Sequence, residues 1–484
     1  MPEQTPDIAV IGATPAGQAI TVAAAQLGLA VALVERGRMG AELLRAGPLP
    51  RQALLAAARA ATAVREATRF GLAASLAPTD WPAIWTHVDA TIASLAPTAG
   101  AARLRALGAE VIEGQARFLD RDRLAIRCEA AERILRPRRI VIATGRTPAL
   151  PPIPGLAPIL AQEGTGALTE PAYLAARPAP AHLLVLGDTA AAIEMADAHA
   201  ALGAHVTLLM PGRFAPAEDP ELALGLALAL RRHGVDIIEH ADIARAEPPG
   251  AGGGPALILA DGRRLAGTHL LVATGTVPDI AALAPEAANL AVTPRGIATD
   301  RSLRCLGNRR VFAAGPVADP EGIGQDHTAA LHAGVVLRRA LGLPARLAGT
   351  APRVLYTSPE LAQAGMTEEQ ARATGHDVRV LRWPLADNDR AVAQRRPDGL
   401  VKLVLSRRGR LLGAGLLAPH AGETIGLLTL AIGRRLGAAA LAGLALPYPT
   451  YTEAIQRAAA MNAASLAASP WLRRAVKLGI RLPP

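Results

Sequence analysis

The sequence predicts an α/β protein with two Rossmann-like dinucleotide-binding domains, followed by a C-terminal α+β domain. The main reason is a signature that occurs twice: an apolar strand, a glycine-led turn and a helix, with the tripeptide Ala-Thr-Gly well downstream. The first copy spans 8–17 and is followed by Ala143-Thr144-Gly145, and the second spans 183–189 and is followed by Ala273-Thr274-Gly275. Glycine at such a turn lets backbone N–H groups approach a pyrophosphate. We expect a chain with two such sites to pass electrons between two bound dinucleotides.

Composition supports several domains and argues against several functions. At 484 residues the chain is long enough for roughly three domains. The formal charge of +10 comes from arginines that are spread along the sequence, so we expect no nucleic acid partner. The only cysteines, Cys128 and Cys305, form neither a disulfide framework nor a metal-binding CxxC motif. No apolar run reaches the roughly 18 residues of a membrane span, and no signal-peptide pattern precedes the first strand, so we expect a cytoplasmic protein.

The first domain begins with a strand, a turn, a helix and a second strand. That second strand, 31–34, ends at Glu35, and the arrangement is half of a doubly wound nucleotide fold. Helical patterns follow at 50–70 and 81–106, before short strands lead to the first Ala-Thr-Gly. The proline-rich run 148–155 marks a domain crossing, because it can be neither a helix nor a central strand. We assign 1–150 to the first part of this domain.

The rest of the chain divides into four further segments. Residues 151–278 form the second dinucleotide unit. Residues 279–346 return to the first domain through the strand and turn at 311–316. Residues 347–464 show strands interleaved with helices, which is typical of a separate α+β domain. Residues 465–484 complete the chain as a basic amphipathic helix.

Three motifs near the C-terminus lead to a family. They are Thr357-Ser358-Pro359-Glu360, Gly413-Ala414-Gly415 and the run 448–453, which reads Tyr-Pro-Thr-Tyr-Thr-Glu. Together with the doubled signature they resemble the pyridine nucleotide-disulfide oxidoreductases, the flavoprotein family of dihydrolipoamide dehydrogenase, glutathione reductase and mercuric reductase. The stretch 107–118 looks closest to the mercuric reductase branch. The resemblance covers nearly the whole chain and implies an FAD domain, an NAD(P) domain and a dimerisation domain, and hence a homodimer.

By this resemblance the first turn is an FAD site. Its cofactor-binding residues are Gly12, Thr14, Ala16, Gly17, Glu35, Thr144, Gly145 and Gly315. Glu35 is placed to accept hydrogen bonds from the adenosine ribose. Thr14 stands at the middle glycine position, where its Cβ is expected to crowd the phosphate unless the loop shifts. Pro316 replaces the family's acidic residue at the flavin's ribityl chain, and the nearby Asp319 is a candidate substitute. The alternative is a strand–helix turn that holds no ligand.

By the same resemblance the second turn takes NADPH or NADH. Its residues are Gly187, Thr189, Ala192, Arg213 and Gly275. Alanine is tolerated at the third glycine position, because that position needs only close packing of the helix on the strand. The strand that should end in a ribose-binding acid ends in Met210, which argues against strict NAD use. Arg213 can meet a 2′-phosphate, or it can be a surface arginine with no ligand.

The family's redox chemistry is altered in this sequence. Leu43 and Pro48 stand where the resemblance places the reactive cysteine pair, so we expect neither disulfide nor mercuric reductase activity. Gln52 replaces the lysine that approaches the flavin, which is expected to leave Glu194 without its ion-pair partner. Tyr448 and Glu453 stand at the family's His-Glu position, and tyrosine offers no imidazole base. Glu194, Gln52, Tyr448 and Glu453 are therefore the candidate catalytic residues, and no metal site is predicted.

Two functions remain open at this point. One is an FAD-dependent NAD(P)H oxidoreductase that reduces a small, quinone-like acceptor directly, without a disulfide relay. The other is a catalytically degenerate dimer that acts as a scaffold or a nucleotide-responsive binding module. In the C-terminal helix, Arg473, Arg474, Lys477 and Arg481 fall on one arc. This helix can lie on the inner face of an anionic membrane, or it can pack against the protein body.

Overall fold

A computed structural model of the chain describes residues 3–40, 44, 47–129, 131–250, 253–319, 328–347, 350–467, 474, 476 and 480. The first 148 residues contain β1 Ile8–Ile11, α1 Pro15–Gln26, β2 Val31–Glu35, α2 Pro48–Glu66, α3 Trp81–Ala99, α4 Ala101–Ala106, β3 Glu110–Glu113, β4 Gln115–Phe118, β5 Leu124–Arg127, β6 Glu132–Leu135, β7 Arg139–Ile142 and β8 Arg146–Pro148.

The segment up to residue 278 contains α5 Leu156–Ala161, β9 Ala167–Thr169, α6 Glu170–Ala176, β10 His182–Leu186, α7 Ala190–Ala201, β11 His205–Leu209, α8 Pro220–Arg232, β12 Val235–Ile238, β13 Ile243–Glu247, β14 Ala256–Leu259, β15 Arg264–Ala266, β16 His269–Val272 and β17 Thr276–Pro278.

The return segment contains β18 Val292–Thr293, β19 Gly296–Ala298, β20 Val311–Ala313, β21 Ala318–Asp319 and α9 Ala329–Ala340. The C-terminal part contains β22 Arg353–Leu355, β23 Glu360–Gly365, α10 Glu368–Ala373, β24 Val378–Pro384, α11 Asp389–Ala393, β25 Leu400–Ser406, β26 Leu411–Ala418, α12 Ala421–Gly433, α13 Ala438–Ala442 and α14 Glu453–Ala467.

Two parallel five-stranded sheets confirm the predicted α/β fold. The first has the order β20-β7-β1-β2-β3 and the second the order β12-β11-β10-β16-β9. In each sheet the strand before the glycine turn is central, and the strand before Ala-Thr-Gly is its neighbour. Ile8 pairs with Arg139 in the first sheet, and Leu183 pairs with His269 in the second. Both central strands are buried, as expected for parallel sheets covered on both faces.

A five-stranded antiparallel sheet belongs to the C-terminal part. Its order is β22-β23-β26-β25-β24, and a core that includes Leu403, Leu416 and Ile425 lies between this sheet and its helices. Smaller sheets formed by β4–β6, β13–β15 and β18–β19–β21, and the pair β8–β17, complete the fold. The chain divides into two units, one made of 1–212 and 234–347 and the other of 213–233 and 348–484.

Most of the predicted elements occur, with small differences at their ends. The helix predicted at 50–70 begins at Pro48 and ends in a 3₁₀ turn at Ala67–Phe70. The pattern at 81–106 is two helices, because the backbone at Gly100 is extended. The C-terminal helix, with Arg473, Lys477 and Arg481, lies almost entirely outside the described residues. Among the helices that are described, none is both long and apolar enough to cross a membrane.

Candidate dinucleotide sites

The two parts of the doubled signature contact each other in space. Gly12 has φ +99°, and a Cβ there would lie 2.2 Å from the carbonyl oxygen of Ala143. Gly187 has φ +141°, and a Cβ there would lie 2.2 Å from the carbonyl oxygen of Ala273. No side chain fits at either position, because backbone carbonyls cannot move away as a flexible side chain can. Each glycine therefore packs its turn against the residue that starts the Ala-Thr-Gly tripeptide.

Thr14 has a role that the sequence analysis did not assign. It is the N-cap of α1, where its φ is −62° and its Oγ1 accepts a hydrogen bond from the Gly17 N–H at 3.3 Å. This conformation is ordinary for any L-residue, so the backbone itself does not require glycine there. The threonine satisfies one of the free N–H groups that a helix presents at its N-terminus. Any pyrophosphate at this turn shares the helix end with the Thr14 hydroxyl.

Glu35 closes the other side of the first turn. One of its carboxylate oxygens accepts from the Ala13 N–H at 2.7 Å and the other from the Gly37 N–H at 2.7 Å. Each carboxylate oxygen has a second lone pair. Glu35 can therefore hold the turn in place and still accept a hydrogen bond from a ribose hydroxyl.

A cleft beside Glu35 contains a residue that the sequence did not single out. Gly12, Glu35, Thr144 and Asp279 all line this cleft, and Asp279 forms an ion pair with Arg36. Burial raises the pKa of Asp279, and the Arg36 guanidinium opposes that effect. The only sequence signal was the position of Asp279, four residues after the second Ala-Thr-Gly. This cleft adjoins the carboxyl ends of β1 and β2, where dinucleotides bind in such sheets.

Two buried polar atoms near the first turn have no hydrogen-bond partner among the described residues. They are Oγ1 of Thr144 and Nε2 of His332. Nδ1 of His332 accepts from the Gly315 N–H at 3.0 Å, so the ring proton of the neutral histidine is on Nε2. Burial lowers the pKa of His332 to about 4, which keeps the ring neutral. Unpaired buried polar groups of this kind suit a polar ligand such as FAD.

Pro316 and Asp319 differ from the family pattern in the same region. Pro316 lies in the 3₁₀ turn Gly315–Val317 and cannot accept or donate through its side chain. The buried carboxylate of Asp319 accepts from the Thr293 hydroxyl at 2.7 Å and forms an ion pair with Arg295 at 3.2 Å. These contacts tie β21 to the β18–β19 hairpin, so Asp319 already has a structural role.

The second turn repeats the threonine cap. Thr189 is the N-cap of α7, accepts from the Ala192 N–H at 3.2 Å and donates to the Ala273 carbonyl at 2.8 Å. A Cβ at Gly275 would make only an ordinary contact with Thr189. Met210 is fully buried after β11, so it offers no group to a ribose hydroxyl. The turn keeps the geometry of a dinucleotide site while its side chains add no polar contact for the ribose.

Arg213 belongs to the second of the two units. Its guanidinium donates to the Pro216 carbonyl at 3.0 Å and lies 3.8 Å from the Glu369 carboxylate. These contacts agree with the alternative in which Arg213 is a surface arginine. A role at a 2′-phosphate stays a prediction.

The expectation that Glu194 lacks an ion-pair partner is wrong. Glu194 is 1% exposed, and its carboxylate lies 2.8 Å from Nε of Arg51, the residue before Gln52. Arg51 also pairs with Glu170, which begins α6. Burial alone would lower the pKa of Arg51, but the charges of Glu194 and Glu170 outweigh burial and raise that pKa. The positive charge that the family pattern places at position 52 is supplied here by Arg51, one residue earlier in the first turn of α2. The arginine beside Gln52 was therefore the sequence signal for this pair.

The position of the lost cysteine pair is partly described. Pro48 is the first residue of α2, and Leu43 lies outside the described residues. Cys305 is buried in the first domain's core, where burial raises the pKa of its thiol, and Cys128 is half-buried after β5. Both are free thiols, and neither belongs to α2.

Tyr448 and Glu453 lie in the second unit. The Tyr448 hydroxyl donates to the Asp389 carboxylate at 2.7 Å, and this hydrogen bond raises the pKa of the tyrosine. Glu453 begins α14 and pairs with Arg457 one turn later at 2.8 Å. A tyrosine with a raised pKa stays protonated at neutral pH, so it can donate a hydrogen bond but does not act as a base.

Comparison with known proteins agrees with this geometry. Residues 6–334 match the family described as pyridine nucleotide-disulphide oxidoreductase, and residues 351–459 match its dimerisation domain. A mercuric reductase from Streptomyces lividans is 33% identical over 463 residues, which are 94% of this chain and 95% of that protein. Dihydrolipoyl dehydrogenase 3 from Pseudomonas aeruginosa is 32% identical over 474 residues, which are 94% of this chain and 97% of that protein.

A solved structure extends the similarity to the fold. It is the HOCl-induced flavoprotein disulfide reductase RclA from Escherichia coli, with a TM-score of 0.81, 26% identity and coverage of 94% of this chain and 99% of that one. Members of the matched family bind FAD and NAD(P)H. Because the two family models together match most of the chain, this chain belongs to the pyridine nucleotide-disulphide oxidoreductase family.

Proposed function

We propose that this chain is an FAD-dependent NAD(P)H oxidoreductase that reduces a diffusible, quinone-like acceptor without a disulfide relay. The observation that carries the proposal is Pro48, which begins α2 at a position where the family places a redox cysteine. Neither Cys128 nor Cys305 can replace that thiol, because neither is on α2 and neither is paired. Bound FAD supplies the two-electron chemistry, so losing the thiols changes the acceptor and leaves oxidation of NAD(P)H intact.

The residues around the first turn support binding of FAD. Gly12 keeps the turn closed against Ala143, and Glu35 retains lone pairs for a ribose. The Thr144 hydroxyl and the His332 Nε2–H, which have no partner among the described residues, offer hydrogen bonds to a polar ligand. Arg51 and Glu194 provide the buried ion pair that Gln52 cannot form. In this proposal two electrons and one proton from NAD(P)H, with one further proton from solvent, convert a quinone into a quinol.

The visible spectrum of the purified protein tests the proposal. We expect a yellow protein that bleaches when NADPH or NADH is added without oxygen and regains its colour when a quinone follows. Steady-state rates with quinones should exceed those with lipoamide, glutathione disulfide and Hg(II). Turnover of lipoamide by the unaltered chain would contradict the absence of a thiol relay.

A second function is favoured by one specific observation. Thr14 and Thr189 both cap the helices whose N-termini should receive a pyrophosphate, which suits a catalytically degenerate scaffold or nucleotide-responsive module. The same spectrum separates the two candidates, because a colourless protein that rejects added FAD is expected only of the scaffold. In both cases the dimerisation domain at 351–459 leads us to propose a homodimer.

A further inference from the structure

A cavity of about 630 Å³ lies beside the C-terminal end of α9 in the first domain, away from the first glycine turn. Its lining includes Arg301, Ser302, Arg339 and Arg346. His332, near the start of α9, contacts Gly315 beside the first turn. Arg339 comes seven residues later on the same helix, which places it about 10 Å farther along the axis. The cavity is therefore separate from the cleft that contains Glu35.

Arginines from distant parts of the sequence meet at this cavity. Arg301 and Arg346 are exposed on its lining, and their segments are joined by the hydrogen bond from the Leu347 N–H to the Arg301 carbonyl at 2.6 Å. The half-buried Arg304 lies beside Arg339, and Nε of each is buried with no hydrogen-bond partner among the described residues. Burial, and then the charge of Arg339, lower the pKa of Arg304. The fold thus gathers like charges that the sequence spreads out.

Negative charge does not balance these arginines. The acidic residue on the lining is Asp300, whose Oδ1 accepts from the Ser302 N–H at 2.8 Å, the Ser302 hydroxyl at 2.6 Å and the Arg304 N–H at 3.1 Å. No ion pair joins Arg301, Arg339 or Arg346 to a carboxylate in the described part of the chain. Like charges held together in this way repel each other, and a bound anion would relieve the repulsion.

The C-terminus of α9 explains only part of the arrangement. Arg339 donates to the Leu343 carbonyl at 3.3 Å, and a cation in the last turn of a helix is favoured by the helix dipole. That effect does not bring Arg301 and Arg346 to the same cavity, because neither residue is on the helix. Three guanidinium groups around one cavity are the pattern that recognises phosphate oxygens.

We propose that this cavity binds a phosphorylated small molecule, whose phosphate oxygens are held by Arg301, Arg339 and Arg346. The Ser302 hydroxyl lies on the same lining, while Pro344 and Ala345 provide an apolar wall for the rest of the ligand. The volume lies within the range of about 300–1,000 Å³ that is usual for small-molecule sites and exceeds the size of a bare phosphate ion. The ligand class follows from the charge and the volume together.

Titration calorimetry with inorganic pyrophosphate, in a chloride buffer of low ionic strength, tests the site. We expect binding that is saturable, that weakens as salt rises and that falls at least about tenfold in the Arg339→Gln variant, because a charge-assisted hydrogen bond is lost. Arg346→Gln should weaken binding to a similar extent. Because the Arg346 side chain is exposed, we expect this substitution to leave the fold intact. Pyrophosphate should also raise the melting temperature of the unaltered protein, but not that of the double variant that combines Arg339→Gln and Arg346→Gln.

Arg338→Gln is the matched control, since it removes the same charge from the adjacent, exposed position of α9. Equal weakening by Arg338→Gln and Arg339→Gln would overturn the proposal in favour of a general effect of net charge. Absence of saturable binding would also overturn the proposal. So would pyrophosphate binding that changes in Thr14→Gly but not in Arg339→Gln, because such binding would occur at the first turn. If a single-stranded oligonucleotide binds more tightly than pyrophosphate, and this binding is lost in the same arginine variants, the ligand of the cavity is a nucleic acid and the proposal of a small molecule is wrong.

Discussion

Arg51 is a residue whose substitution should strongly reduce stability. It is the cation beside Glu194, which is almost fully buried. Removing one partner of a buried pair leaves an uncompensated charge, which costs about 3–5 kcal/mol. We therefore expect Arg51→Met to lower the free energy of local unfolding around α2 by about that amount, measured by hydrogen exchange of the α2 amides.

Two further variants separate charge from packing at this pair. Arg51→Lys keeps the positive charge and should retain most of the stability. The double variant with Glu194→Gln removes both charges of this pair but leaves that of Glu170, so it should recover part of the loss. An Arg51→Met protein as stable as the unaltered chain would show that the ion pair contributes nothing.

Thr14 gives a test of cofactor binding at the same scale. Thr14→Gly frees the Gly17 N–H and removes the side chain from the helix end, so we expect FAD to bind several-fold to about tenfold more tightly. The cost in stability should be only a few tenths of a kcal/mol, because glycine is a tolerable N-cap. FAD affinity of the apoprotein can be measured by quenching of flavin fluorescence.

Thr189→Gly is the control for this variant, since it makes the same change at the second turn. It should leave FAD affinity unchanged and strengthen binding of the nicotinamide dinucleotide. Weaker FAD binding by Thr14→Gly would contradict the view that the threonine competes with the pyrophosphate.

These residues also show what the sequence could and could not predict. The doubled signature predicted both sheets because its glycines are fixed by local geometry, as the short approach of Gly12 to Ala143 demonstrates. The Arg51–Glu194 pair joins residues 143 positions apart, so the arginine beside Gln52 was visible in the sequence but its contact with Glu194 was not. The role of Thr14 could have been predicted from the sequence, because threonine before a helix is a common N-cap. The family pattern instead indicated only that a glycine is absent at this position.

At the scale of elements, a buried ion cluster connects α8 to the C-terminal sheet. Lys402 on β25 is 4% exposed, and its Nζ lies 2.9 Å from Asp219, 2.9 Å from Glu221 and 3.1 Å from Glu368. Asp219 is also the N-cap of α8. The lysine therefore holds together the start of α8, the start of α10 and an inner strand of the sheet.

The pH dependence of this cluster follows from its pKa shifts. The hydrogen bond from Arg382 holds the pKa of Glu221 below its usual 4.5. Burial would raise the pKa of Glu368, but hydrogen bonds from Arg372 and Lys402 lower it below 4.5. Burial would lower the pKa of Lys402, but hydrogen bonds from the carboxylates raise it above 10.5. Carboxylates with lowered pKa values stabilise the fold above pH 4.5, and this stabilisation is lost as the pH falls. The contribution of the lysine, whose pKa is raised, is lost only as the pH rises above 10.5.

We expect Lys402→Met to destabilise the second unit by about 3–5 kcal/mol at pH 7, because Asp219 is left buried and unpaired. The difference from the unaltered protein should shrink as the pH falls below 4.5. Hydrogen exchange of the α8 amides against pH measures this locally, which avoids treating a multidomain protein as two-state. Arg407→Met removes an exposed cation directly after β25 and should change little. A difference that stays constant from pH 7 to pH 3 would contradict the assignment.

At the scale of the whole molecule, helix α12 is the element at which we expect a second copy of the chain to bind. Its buried side packs on the C-terminal core through Ile425 and Leu428, yet Leu430 on its other side is 58% exposed. Single exposed leucines are common on protein surfaces, so the identity of this domain decides the assignment. Because this helix lies in the domain that matches the family's dimerisation domain, the partner that we expect is a second copy of the chain.

Light scattering should therefore give twice the 49.8 kDa mass of one chain, and Leu430→Glu should shift the molecule towards the monomer. A buried carboxylate without a partner is costly at an interface, so the dissociation constant should rise by at least about a hundredfold for a penalty near 3 kcal/mol. Leu27→Glu is the matched control, since Leu27 is equally exposed at the end of α1 in the other unit. A Leu430→Glu protein that stays dimeric at low micromolar concentration would place the interface elsewhere. If the monomer also loses FAD reduction by NAD(P)H, the partner contributes to the site, whereas a monomer with unchanged reduction confines the electron transfer to one chain.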